Sequence, residues 1–244
     1  MHFERHVWFS GSLGHDMELL VYGHAGQLLL CFPSQDGRAA DWAGFGMIDA
    51  CADLLEAGRL IAVAVDGVDW QSWTNAAAPA ADRARRHEDY HRYIVDEVVP
   101  FARGAGGGPS VWATGCSMGA YHAANVFFRR PDAFDGLIAL SGLYQPRGFI
   151  GEYSDDNVYF NSPLSYLPNL DDAWHLERYR QGRIVFCCGQ GAWEGESLRD
   201  TRELQRILAA KGVPALFDYW GHEVEHHWYW WQKMLRHHLS VLEG

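Results

Sequence analysis

Val111-Trp112-Ala113-Thr114-Gly115-Cys116-Ser117-Met118-Gly119 is the stretch that decides how this chain folds. Its first four residues are β-prone and lead straight into a G-x-S-x-G pattern. Beyond it, Ala120, Ala123, Ala124, Phe127 and Phe128 recur with helical period, and Pro131 closes the run. Strand, glycine-flanked serine, then helix is the context of a nucleophile elbow. The turn has no room for side chains, so glycines two before and two after Ser117 let helix and strand approach. The serine hydroxyl is lifted out at the carboxyl end of the strand, and the Met118 N–H at the helix start can serve an oxyanion.

Working outward, strands are expected at 7–10 and 17–22, joined by a turn as an antiparallel pair, then at 28–32 and 60–65, both wholly apolar. Further strands are expected at 136–140, 183–188 and 215–220. Helical patterns cover 42–57, 82–101, 197–211 and 228–242, and 104–109 reads as a turn. The stretch 141–182 has no regular period and carries many aromatics, as a pocket wall or short lid would. Strands alternating with helices after an antiparallel start imply an α/β fold. The expectation is a mostly parallel eight-stranded sheet with helices on both faces, no large cap, and a single domain over 1–244.

The formal charge of −11 argues against nucleic acid or an anionic membrane as partner. No secretory signal is visible at residues 1–10 and no apolar run reaches membrane-spanning length, so a cytoplasmic location is expected. The five cysteines lack metal-site spacing and read as free, buried thiols. Neither a metal nor any other cofactor is implied, and a homo-oligomer stays open.

A serine hydroxyl needs a base, and the base an orienting acid, in loops after later strands. The loop after 183–188 holds Glu194 and Glu196, and that after 215–220 holds His222, His226 and His227. The order Ser, acid, His is the one this architecture uses. With the GCSMG elbow, Leu140-Ser141-Gly142, Asn161-Ser162-Pro163 and the tail His226-His227-Trp228, nearly the whole chain resembles the α/β-hydrolase superfamily. It is most similar to the branch of esterase-D-type enzymes, feruloyl esterases and mycolyltransferases. That branch's His-x-Trp pattern selects His226, with His222 and His227 as alternatives. Its usual acid position, three residues after the strand-ending glycine, holds Ala192 here. Glu194, two residues on and with a longer side chain, is the first choice, and Glu196 and Asp200 are alternatives. The second oxyanion donor belongs to the loop after 28–32, where Pro33 has no N–H, so Ser34 comes first and Gln35 second. Trp70 and Trp73, after 60–65, are candidate substrate contacts.

Together these imply a serine esterase acting on small-molecule esters through Ser117, His226 and Glu194. Acyl transfer and thioester hydrolysis remain open on the same residues, as does a non-catalytic binding protein of this fold. His222-Glu223-Val224-Glu225-His226 also matches the H-E-x-x-H zinc signature, but it follows a strand and Gly221 rather than lying in a helix. Cys116 precedes the elbow's centre and points elsewhere.

Overall fold

The computed structural model describes residues 1–106 and 108–243. Among these, eight strands form one sheet in the order β1-β2-β4-β3-β5-β6-β7-β8. They are β1 (Phe3–Ser10), β2 (His15–Tyr22), β3 (Gln27–Phe32), β4 (Leu60–Val65), β5 (Val111–Cys116), β6 (Gly136–Leu140), β7 (Arg183–Cys188) and β8 (Leu216–Tyr219). The pairs β1–β2 and β2–β4 are antiparallel, and every pairing from β4 through β8 is parallel.

Apolar runs without polar alternation form the central strands because both their faces are covered. Leu28, Leu30 and Phe32 of β3 face a core that includes Ala123 and Phe127 of the elbow helix. The alternate residues Leu29 and Cys31 face a second core with Trp231 and Leu235 of the last helix. This period of two sorts one strand's side chains into two layers. The helix Met118–Arg129 therefore lies on one face of the sheet and Trp228–Leu239 on the other.

Three segments differ from expectation. The helix expected at 42–57 is broken into Asp41–Gly44, a 3₁₀ turn Asp49–Cys51 and Ala52–Glu56. Gly46, at φ +75°, interrupts it, and Phe45 is exposed and stacks on Trp228 at 4.6 Å instead of entering the core. The long helix runs from Ala80 to Gly104 through a π-helical stretch, Tyr93–Val98. Pro100 follows that stretch and cannot donate the next i→i−4 bond, which the wider turn accommodates. Within 141–182 lie short helices and one of nine residues, Ala173–Gln181, whose polar sequence buries only Tyr179. The turn expected at 104–109 includes Gly107, which lies outside the described residues.

Candidate active site

Ser117 sits between β5 and the elbow helix with φ +56° and ψ −120°. That backbone is strained for a side-chain-bearing residue and is held by its surroundings. The Ser117 N–H donates to the Leu140 carbonyl at 2.9 Å. A Cβ on Gly115 would come within 2.2 Å of the Gly119 carbonyl carbon, so helix and strand approach as closely as the sequence pattern demands. A Cβ on Gly119 would strike the Pro33 and Phe32 carbonyl oxygens at 2.4 and 2.5 Å. The loop after β3 is thus pressed against the start of the elbow helix. Met118 opens that helix, where amides lack intrahelical acceptors.

A relay of two contacts links this loop to the elbow helix. The Asp36 N–H donates to Asp69 Oδ2 at 3.2 Å, and Asp69 Oδ1 lies 2.9 Å from His122 Nε2 on the elbow helix. Asp69 and His122 are both buried. Through Asp69, the segment carrying Ser34 and Gln35 is tied to the helix that Met118 begins.

His226 follows β8, and its Nε2 lies 2.9 Å from Ser117 Oγ. Its Nδ1 lies 3.2 Å from Glu194 Oε2. Trp231 packs edge-on against the imidazole at 4.8 Å, and the His226 N–H donates to the Ala192 carbonyl at 3.0 Å. Ring and backbone are therefore both fixed. The other histidines are occupied elsewhere: His227 Nδ1 accepts the Tyr229 N–H as a helix cap, and His222 lies against the Gln190 carbonyl.

Glu194 is 0% exposed, an unusual place for a carboxylate unless its oxygens are satisfied. Ser141 Oγ donates to Oε1 at 2.6 Å, and the Cys188 thiol lies 3.5 Å from Oε2. Burial, and then the neighbouring carboxylate, push the Cys188 thiol pKa up, so it stays a neutral donor. Of the alternatives, Glu196 is exposed and pairs with Arg199 at 3.6 Å. Asp200 accepts the Tyr144 N–H at 3.0 Å, and burial raises its pKa. Neither is joined to His226.

Trp73 requires a correction. It is fully buried, clustered with Met118 and Tyr121, so it supports the elbow from within and does not face a substrate. Trp70 is 48% exposed with the Arg38 guanidinium over its ring. A cleft of about 490 Å³ opens over the site, lined by Ser117, His226, Leu143, Trp193, Ser197 and Arg199 among others. Sequence reasoning missed Ser141 and Trp193. Ser141 stood in the Leu140-Ser141-Gly142 segment, but only the folded chain brings it to Glu194.

The residues His222 to His226 form a loop, not one face of a helix, and His226 is engaged by Ser117 and Glu194. Among the described residues, the trio of donors within 4.8 Å of one another is Cys187, Asp218 and His238, between the β7–β8 edge and the last helix. There the Asp218 carboxylate accepts the Trp220 indole N–H at 2.8 Å and lies 3.2 Å from His238 Nε2.

Residues 10–241 match the family described as "Putative esterase". The chain belongs to this esterase family. It is an ester-hydrolysing enzyme, and its substrates are small-molecule esters. No curated protein matches the chain. Solved structures share the fold at low identity. A ferulic acid esterase superposes with a TM-score of 0.76 at 17% identity, covering 99% of this chain and 97% of that one. The mycobacterial protein MPT51 (FbpC1) of Mycobacterium tuberculosis gives 0.75 at 15%, with 99% and 98% covered. The S-formylglutathione hydrolase FrmB of Staphylococcus aureus gives 0.71 at 13%, with both chains fully covered. The esterase is thus an α/β-hydrolase by fold. Among the described residues, no helix is long and apolar enough to cross a membrane.

Proposed function

We propose that this esterase cleaves carboxylic esters through a Ser117–His226–Glu194 triad and an acyl-enzyme. The observation that carries the proposal is one imidazole whose Nε2 lies 2.9 Å from Ser117 Oγ and whose Nδ1 lies 3.2 Å from a fully buried carboxylate. His226 Nε2 takes the Ser117 proton as Oγ bonds to the ester carbonyl carbon. The N–H groups of Met118 and Ser34 receive the oxyanion. Collapse breaks the bond to the alcohol, which leaves with the proton from Nε2. Water then attacks the acyl-enzyme by the same steps in reverse, with Nε2 as base, and releases the acid. Glu194 keeps Nδ1 protonated and stabilises the imidazolium formed in each half. Trp70 serves as a rim contact, and one sheet with cores on both faces supports treating 1–244 as a single domain.

Hydrolysis of p-nitrophenyl acetate through octanoate by wild type, Ser117→Ala and His226→Ala tests this reading. Loss of turnover in both variants is expected. Undiminished turnover in Ser117→Ala would refute it.

A further inference from the structure

Trp193 stands next to Glu194 in sequence and faces the opposite way. Glu194 is 0% exposed, whereas Trp193 is 89% exposed. The reversal is made by a turn that the Glu194 N–H closes onto the Gly191 carbonyl at 3.4 Å. Trp193 occupies its third position with φ +65°. A turn of this kind favours glycine there, because a Cβ is crowded in the left-handed region. The fold therefore needs the turn, which aims Glu194 at His226, but gains nothing from the indole. Its side chain buries almost no surface in the free protein, and its backbone is strained. A large aromatic that is costly to the free chain and lines the same cleft as Ser117 and His226 has its use in the bound state.

We infer that Trp193 is a specificity-determining substrate contact whose indole packs on the apolar face of a ring in the ester, so that the preferred substrates carry such a ring close to the scissile bond. This inference rests on the cleft above Ser117 being the place of hydrolysis. The half-buried Leu143 supplies an apolar wall of the same cleft, and Arg199 is drawn to Glu196 at 3.6 Å. The chemistry that fits is a ring with a broad apolar face, either a planar aryl group or the C–H face of a sugar's chair.

The test compares wild type with Trp193→Gly, Trp193→Phe and Trp193→Leu on ethyl acetate, benzyl acetate, methyl phenylpropanoate and an acetylated glucose. These place no ring, an aryl ring on the alcohol, an aryl ring on the acyl group, and a sugar ring. In Trp193→Gly, kcat/KM for at least one ring-bearing ester should fall about tenfold relative to ethyl acetate, mainly through KM. Trp193→Phe should recover most of that ratio and Trp193→Leu little of it. The melting temperature of Trp193→Gly should equal or exceed that of wild type, because glycine relieves the turn. Unchanged ratios for every ring-bearing ester would overturn the inference. So would a destabilised Trp193→Gly whose ratio Trp193→Leu restores. Calorimetric binding of the same esters to Ser117→Ala, with and without Trp193→Gly, reads the contact without turnover. Ring-dependent weakening there upholds the contact even if the triad fails, and its absence sinks the contact even if the triad stands.

Discussion

Replacing Glu194 by glutamine keeps the shape of the side chain and removes its charge. The amide has two orientations. In one, the NH₂ faces His226 Nδ1 and forces the tautomer with Nε2–H, which cannot accept the Ser117 proton. In the other, the NH₂ turns to Ser141 Oγ and the carbonyl accepts from Nδ1, so the useful tautomer survives. Both lose the attraction between carboxylate and imidazolium as the proton arrives. At the 3.2 Å separation seen here, with an effective dielectric constant of about 20, that attraction is roughly 5 kcal/mol. A loss of that size corresponds to about 10³- to 10⁴-fold in kcat. Glu194 is buried and not part of the cleft's surface, so KM should move little. The assay is steady-state hydrolysis of p-nitrophenyl acetate, with folding checked by circular dichroism. A folded Glu194→Gln enzyme within tenfold of wild-type kcat would refute the assignment of Glu194 as the acid.

Three further outcomes follow from the same geometry. Ser141→Ala removes the 2.6 Å bond to Glu194 Oε1 and should cost about 1.5–3 kcal/mol in urea unfolding, as a bond to a buried charge does. It should also lower kcat, and unaltered stability and kcat would show the bond to be idle. Gly119→Ala drives a Cβ into the Pro33 and Phe32 carbonyls; a destabilisation of about 1–3 kcal/mol, with reduced turnover, is expected from such overpacking, and a neutral effect would mean the loop after β3 does not hold its place. Burial holds His87 well below the usual imidazole range and pushes His91 down to about 3 and His238 down to about 4. These values lie below the unfolded one, so unfolding takes up protons: stability is intact above about pH 6.5 and falls on acidification toward pH 4, by about 1.4 kcal/mol per pH unit for each such histidine. Urea midpoints that match at pH 7 and pH 5 would contradict this.

The sheet was legible because burial on both faces leaves β3, β4 and β6 as unbroken apolar runs whose bounds barely depend on tertiary context. The elbow was legible because its glycines answer a local steric need that the structure shows at Gly115 and Gly119. The helix at 42–57 was not, since one glycine at positive φ outweighs an otherwise periodic pattern. Ala173–Gln181 escaped notice because a helix that buries little has little apolar period. At the site, the elbow gave Ser117 and chain order gave the loops after β7 and β8, while the family's His-x-Trp pattern and usual acid position narrowed these to His226 and Glu194. The structure hydrogen-bonds His226 to both Ser117 and Glu194. The burial of Trp73 and the exposure of Trp193 depend on which way a loop turns, and neither residue type carries that information. The tie from Ser141 to Glu194 spans 53 positions and exists only once β6 and β7 are neighbours.

The most direct measurement of the central claim is covalent labelling by a fluorophosphonate, followed by peptide mass spectrometry. A nucleophilic Ser117 activated by His226 predicts one adduct per chain, on the peptide carrying Ser117, with labelling sharply slowed in His226→Ala. An adduct on another residue, or none on a protein that hydrolyses esters, would contradict it.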